Sequence, residues 1–202
     1  DKKSLCIVLC SKGYPDKYNN EILIENTKNL KLGEDDYFFH AGTKKIDDKV
    51  YSTIDYLEQD GKLLENVRDN LFSPLNLAIL SQKYNIHFTY LGTGCIFEFD
   101  KDHPFGEEIN GFTEDSLPNF FGSSYSIIKG FTDQIMHYYP LLNLRIRMPI
   151  NSDNNPRNFI TKITNYDKIC SIPNSMSVLP ELIPIMIDLM KNQRVGTLNF
   201  TN

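Results

Sequence analysis

A short apolar run from His87 to Leu91 breaks at Gly92-Thr93-Gly94-Cys95, and about thirty residues later Gly122-Ser123-Ser124-Tyr125-Ser126-Ile127-Ile128-Lys129 reads as the start of a helix. A buried strand whose carboxyl end opens into a glycine-bearing loop, with a helix to follow, restricts the possible folds more than any other stretch. It is the pattern of an open α/β sheet, and such sheets place their ligands at the carboxyl ends of the strands. The rest of the chain agrees with it. Ser4 to Cys10 reads as a buried strand, Ser11 to Asp16 as a turn, Lys17 to Leu30 as a helix ended near Gly33, and Asp36 to Ala41 as a second strand followed by Gly42. Strand, turn, helix, strand is the order of a parallel βαβ unit.

Beyond a charged link, Thr43 to Lys49, the interval Ser52 to Tyr84 carries a stripe of Leu63, Leu64, Val67, Leu71, Leu75, Leu77, Ala78 and Leu80 at helical spacing. Core packing explains the stripe, and Pro74 is expected to kink the helix or begin a new one. Asn70, near that stripe, is a polar residue that needs partners if buried and then orders backbone near a site; surface exposure is the alternative. After the helix from Ser123 to about Tyr139, Leu142 to Met148 alternates as a strand does. Asn158 to Tyr166 is expected to be a short helix, Ile169 to Ile172 and Met176 to Leu179 short strands, Pro180 to Lys191 a helix and Gly196 to Phe200 a final strand. The expected architecture is a Rossmann-like, mostly parallel sheet with helices on both faces. Residues 1–150 form it, abbreviated on the amino-terminal side, and residues 151–202 add a partial substrate-binding extension interleaved with the last strands.

Tyr125 and Lys129 stand four apart, on one helical face. A phenol exchanges protons poorly near neutrality because its ordinary pKa is about 10. An ammonium one turn away stabilises the phenolate and brings it toward working range. The Thr93 hydroxyl, at the mouth of the neighbouring strand, suits the same substrate oxygen. Y-x-x-x-K alone fits an amphipathic helix equally well; the strand-end Thr93 is what favours proton transfer at a carbonyl or alcohol.

Composition narrows the function classes. A chain of 202 residues with 41% hydrophobic content buries one sizeable core, and a net charge of -5 argues against an extended basic face for nucleic acid. Cys6, Cys10, Cys95 and Cys170 make no C-x-x-C pair, and the four histidines have no zinc spacing, so neither a metal site nor a disulfide framework is expected. No apolar run is long enough to span a bilayer and no secretory signal is evident, which suggests a reducing cytoplasm, a host's if the gene is viral. Beginning at Asp1, the chain reads as a piece of something longer.

Several long motifs carry a resemblance: TGCIFEFD-x-x-HP (Thr93 to Pro104), PNFFGSSYSIIKG (Pro118 to Gly130), LRIRMPI (Leu144 to Ile150), NPRNFITKI (Asn155 to Ile163), IPNSMSVL (Ile172 to Leu179) and LNFTN (Leu198 to Asn202). In this order they resemble the nucleotide-rhamnose synthase/epimerase-reductases, extended short-chain dehydrogenases that convert UDP- or dTDP-4-keto-6-deoxyglucose to the L-rhamnose nucleotide. Tyr51 to Asn70 looks most like the version carried by mimivirus-type giant viruses, and the resemblance runs from about Tyr51 to the end.

That resemblance implies a Thr93/Tyr125/Lys129 reductase set, with Tyr125 giving a proton to the 4-keto oxygen and Lys129 holding the coenzyme ribose. It implies Cys95 and Lys162 as the acid/base pair for epimerisation at C3 and C5, although by themselves these residues read as a buried small hydrophobe and a surface charge. NADPH, or NADH, is the implied coenzyme, with Gly13, Gly42, Asn70 and Lys129 in its site; Glu98, Arg157 and Asn158 are implied for the sugar nucleotide. A homodimer through the helices Lys62 to Lys83 and Ser123 onward is a further expectation.

The amino-terminal quarter departs from the pattern. Where a G-x-x-G-x-x-G fingerprint is expected, Cys10-Ser11-Lys12-Gly13-Tyr14-Pro15-Asp16 keeps only the middle glycine, and Asp16 sets a negative charge where phosphates should meet the helix start. Two readings follow: a 3,5-epimerase/4-reductase, whole or reduced to epimerisation, and a non-catalytic relative that binds a sugar nucleotide or joins an oligomer.

Overall fold

The computed structural model describes residues 43–46, 49–52, 60–105, 110–154, 158–169 and 171–202. The strands expected at Ser4 to Cys10 and Asp36 to Ala41 and the helix between them lie outside the described residues, as do Gly13, Gly42 and Arg157. The charged link expected from Thr43 to Lys49 is instead part of a hairpin. Strand β1 (Thr43–Ile46) pairs antiparallel with β2 (Lys49–Ser52), with Thr43 opposite Ser52. Val50 and Tyr51 favour extended backbone, and strands only two residues apart can pair only antiparallel.

The main sheet is parallel. Strand β3 (Thr89–Thr93) pairs with β4 (Leu142–Ile146), and β4 with β5 (Gly196–Asn199), so the order is β3-β4-β5. The alternation in LNLRI divides β4 between two faces. Leu142 and Leu144 pack with Leu182 of helix α5 (Leu179–Lys191) and with Phe200. Asn143 and Arg145 face the other way, toward helix α3 (Ser124–Met136), where Met136, Leu141, Tyr90 and Ala78 form a second cluster. Helices thus cover both faces of a parallel sheet, the Rossmann-like arrangement the sequence leads one to expect. The expected pieces at Ile169 to Ile172 and Met176 to Leu179 are not strands among the described residues; a single bridge joins Ile150 to Val178.

Pro74 does not break its helix. Helix α1 (Leu63–Val67) runs through a π-helical turn (Arg68–Phe72) into α2 (Ser73–Tyr84), and the junction residues Val67, Arg68, Phe72 and Ser73 all keep right-handed helical angles. The wider turn solves the hydrogen-bonding problem a proline creates. The Arg68 carbonyl accepts the Ser73 N–H and, at 2.8 Å, the Ser73 hydroxyl. Pro74 has no N–H for the Asn70 carbonyl, and the Thr132 hydroxyl of α3 donates to it at 2.6 Å. Of the apolar stripe, Ala78 is fully buried whereas Leu63 and Leu64 are exposed, so core packing accounts for only part of it.

Candidate active site

The mouth of β3 and the start of α3 are joined by backbone before any catalytic group is considered. The Ile96 carbonyl accepts the N–H groups of Asn119 and Phe120, each at 3.1 Å, and the Ser126 hydroxyl donates to the Cys95 carbonyl at 2.8 Å. Ser123, in extended conformation, caps α3 by accepting the Ser126 N–H at 3.1 Å. Helix α3 therefore begins where its sequence signal places it, with Tyr125 in its first turn next to Ser126, which bonds the loop at Cys95. Thr93 is the last residue of β3 and is buried; its hydroxyl oxygen accepts the Cys95 N–H at 3.1 Å, which leaves its proton to be given elsewhere. Cys95 is half-buried as a free thiol, and its sulfur accepts Arg147 Nη1 at 2.7 Å.

Gly92 is required here by close approach. A side chain at this position would bring its Cβ to 2.5 Å from Asn143 Oδ1 across the parallel pair. Gly92 thus lies within β3, not in the loop expected after Leu91, and its place reflects strand packing.

Lys129 lies behind this mouth, buried. Its ammonium donates to the Tyr90 hydroxyl at 2.5 Å and to the Leu91 carbonyl at 3.1 Å, and sits 4.4 Å from the centre of the Tyr90 ring. Burial lowers its pKa from 10.5 to about 8, against the pull of Asp133 and Cys95 in the other direction. Burial also drives Tyr90 well above the ordinary phenol range, with Tyr125 and Asp133 adding to the shift. Tyr90 thus bonds Lys129 and lies within the field of Tyr125 and Asp133. Two of the three ammonium protons are committed to Tyr90 and Leu91, and the third has no acceptor among the described residues.

The sequence reading missed the ion pair beneath the site. Arg145 and Asp133 are both buried and meet side by side, Nε to Oδ1 at 2.9 Å and Nη2 to Oδ2 at 2.7 Å. The same guanidinium donates to the carbonyls of Thr113 and Glu114, each at 3.1 Å, and of Ser116 at 3.3 Å, fastening the loop before α3 to the sheet. Asn143 Nδ2 adds a bond to Asp133 at 2.8 Å. A charged residue between Leu144 and Ile146 in a buried strand was the available signal, because burial of such a charge demands a partner. Asn66, fully buried, was also missed: it accepts Asn70 Nδ2 at 2.8 Å and reaches Ser124 Oγ at 3.5 Å, so the expected coenzyme residue Asn70 stands in an amide chain that ends at the start of α3.

The remaining expected residues lie farther out. Glu98 is exposed, and its backbone N–H and carbonyl pair with the Asn119 side chain at 2.9 and 3.0 Å. Asn158 precedes the short helix α4 (Phe159–Ile163); its Nδ2 donates to the Asn151 and Asp153 carbonyls, while its Oδ1 is buried with no partner. Lys162 is exposed on α4. Among the described residues no group of His, Cys, Asp and Glu could hold a metal ion, and no helix is long and apolar enough to cross a membrane.

No family model matches the chain. A protein of Acanthamoeba polyphaga mimivirus is 64% identical over 154 residues, 75% of this chain and 53% of its own length. The crystal structure of the mimivirus UDP-rhamnose synthase matches with a TM-score of 0.66 at 63% identity, covering 75% of this chain and 53% of that one. In Arabidopsis thaliana, the bifunctional dTDP-4-dehydrorhamnose 3,5-epimerase/dTDP-4-dehydrorhamnose reductase is 46% identical over 141 residues, 69% of this chain and 46% of that protein. A trifunctional UDP-glucose 4,6-dehydratase/UDP-4-keto-6-deoxy-D-glucose 3,5-epimerase/UDP-4-keto-L-rhamnose-reductase of the same plant is 48% identical over 140 residues, 68% of this chain and 21% of that protein. At the level of fold alone, dTDP-4-dehydrorhamnose reductase of Bacillus anthracis, solved with NADP, matches with a TM-score of 0.53 at 18% identity over 75% of this chain and 53% of that one. The chain spans about half the length of the mimivirus protein.

Proposed function

Three quarters of this chain are homologous to the nucleotide-rhamnose synthase/epimerase-reductases, and from that premise we propose that the protein is a 3,5-epimerase/4-reductase acting on a UDP- or dTDP-linked 4-keto-6-deoxy sugar. The observation that supports this reading is the tie between the Thr93–Cys95 loop and the first turn of α3, the turn that carries Tyr125, with the buried Lys129 one turn farther along.

Protons beside a ketone are acidic because the electron pair left on carbon passes to the carbonyl oxygen. Thr93 and Tyr125 donate hydrogen bonds to that oxygen as its charge grows. Cys95 and Lys162 exchange protons at the ring carbons. In the reduction, Tyr125 gives its phenolic proton to the 4-oxygen, and the Lys129 ammonium stabilises the phenolate left behind. NADPH suits this part of the site through the ammonium proton of Lys129 that has no acceptor among the described residues; when bound it would supply the hydride that C4 takes. Glu98, Arg157 and Asn158 serve the sugar nucleotide in this reading, and the buried, unpartnered Asn158 Oδ1 suits a hydroxyl donor. Gly13, Gly42 and Asn70 serve the coenzyme, and the cytoplasm, a host's if the gene is viral, is the compartment.

A second reading, a non-catalytic sugar-nucleotide binder, is favoured by one observation: between Cys10 and Asp16 only Gly13 remains of the glycine fingerprint. The two separate in deuterium oxide. With a 4-keto-6-deoxy sugar nucleotide and no coenzyme, the enzyme takes deuterium into C3 and C5, and Cys95→Ser or Lys162→Ala reduces the uptake by about 100-fold or more. NADPH oxidation with the same substrate measures the reductase separately. Neither uptake nor oxidation in the full-length protein leaves the binder.

A homodimer belongs to the same proposal, since Leu64, Phe72 and Phe131 lie exposed on α1, the π-helical turn and α3. Sedimentation at the monomer mass at micromolar concentration would remove it.

A further inference from the structure

Arg147 is held more firmly than a residue just past a strand needs to be. Its N–H donates to Ser177 Oγ at 2.9 Å and its carbonyl accepts the Ser177 N–H at 2.7 Å, while the fully buried Ser177 is itself anchored by its hydroxyl to the Phe200 carbonyl at 2.6 Å. The aliphatic stem crosses Gly94, where a Cβ would meet Arg147 Cδ at 3.2 Å. At the far end Nε donates to Asn174 Oδ1 at 3.0 Å and Nη1 to Cys95 Sγ at 2.7 Å. Among the described residues no carboxylate pairs with this guanidinium. A cation fixed by its backbone, its stem and one amide is thus aimed at a sulfur.

We infer that Arg147 is the positioning residue that presents Cys95 as a thiolate to the sugar ring. This rests on the proposed role of Cys95 in epimerisation. A guanidinium keeps its charge across the working pH range and cannot take the thiol proton itself. What it does is favour negative charge on the sulfur through a charge-assisted hydrogen bond and hold that sulfur in one direction. The step it prepares is balanced: the C–H bond next to the ketone breaks, its proton forms an S–H bond on Cys95, and its electron pair passes to the carbonyl oxygen. Gly94 belongs to the same device, because a side chain there would displace the stem that carries the charge.

The bland alternative is a strut joining residues 174–177 to the sheet. The backbone pair with Ser177 already supplies that, and the two roles differ in their pH behaviour. In the full-length protein, iodoacetamide labelling of Cys95 is followed by peptide mass against pH, for the native protein, Arg147→Met and Arg147→Lys. Methionine keeps the stem over Gly94 without the charge. The pH of half-maximal labelling moves up by about one unit or more in Arg147→Met and less in Arg147→Lys. Deuterium uptake by Arg147→Met falls about tenfold at pH 7 and recovers toward pH 9; a strut that had merely loosened would not recover. An unchanged labelling profile in a folded Arg147→Met overturns the inference. If instead Cys95→Ser leaves uptake untouched, the role of Cys95 in epimerisation fails, while the labelling profile still decides whether Arg147 controls the sulfur.

Discussion

Arg145→Met lowers the stability of the protein by about 3–5 kcal/mol, read as a shift of the urea midpoint with an unchanged slope. The size follows from what is stranded. Arg145 and Asp133 are almost completely buried, with side chains 1% and 2% exposed, and joined by two parallel bonds. Without the guanidinium, the Asp133 carboxylate keeps, among the described residues, the Asn143 amide and the charge of Lys129, and three loop carbonyls at Thr113, Glu114 and Ser116 lose their donor. An unpaired buried charge costs far more than the pair contributes, since the pair itself offset a large desolvation penalty. Adding Asp133→Asn removes the stranded charge but keeps an acceptor for Asn143, and the double variant regains more than half of the loss. A loss below about 1 kcal/mol for Arg145→Met would mean that water reaches the pair and that it is not the clamp described here.

Lys129→Met gives the opposite result for stability and a loss for activity. The amine titrates near 8 in the folded chain against 10.5 when free, because burial disfavours its charge. Between those pH values the unfolded chain binds more protons than the folded one, so stability rises with pH across that window. At pH 7 the full cost of the buried charge stands, on the order of 3 kcal/mol. Methionine removes that cost and gives up the bonds to Tyr90 and Leu91, worth about 1 kcal/mol each. The variant is therefore more stable by about 1 kcal/mol at pH 7, a rise in Tm of about 2–4 °C, and the advantage fades as the pH approaches 10.5. On the proposed mechanism, reduction falls by about 100-fold or more in the same protein, because Tyr125 would then lose the charge assigned to support its phenolate. A lower Tm at pH 7 would show that the ammonium stabilises the fold. Such a trade of stability for chemistry is what a functional buried lysine predicts.

The site was legible in the sequence to the extent that its signals were local. Ser123 caps α3 through the Ser126 N–H, which fixes the register of Tyr125 and Lys129 on one turn of helix. Leu142 to Ile146 alternates, so one face had to be apolar. Local signals failed where a long-range partner decided the outcome. Pro74 stands in the first turn of α2, one of the two expected outcomes, but that α2 continues from the preceding turns depends on a threonine from α3, far along the chain, which satisfies the carbonyl it orphans. The charged segment at Thr43 pairs into a hairpin because Lys49–Ser52 lies within reach.

By itself the sequence determined the parallel sheet and the start of α3, because periodicity and capping act over a few residues. Tertiary structure alone decided where the charges go. Lys129 reaches Tyr90 and the Leu91 carbonyl, Arg145 meets Asp133, and Arg147 meets Cys95 from fifty-two residues away. Those contacts exist because β4 lies between β3 and β5 with Gly92 opposite Arg145, a register set by the packing of both sheet faces at once and recorded in no short stretch of chain.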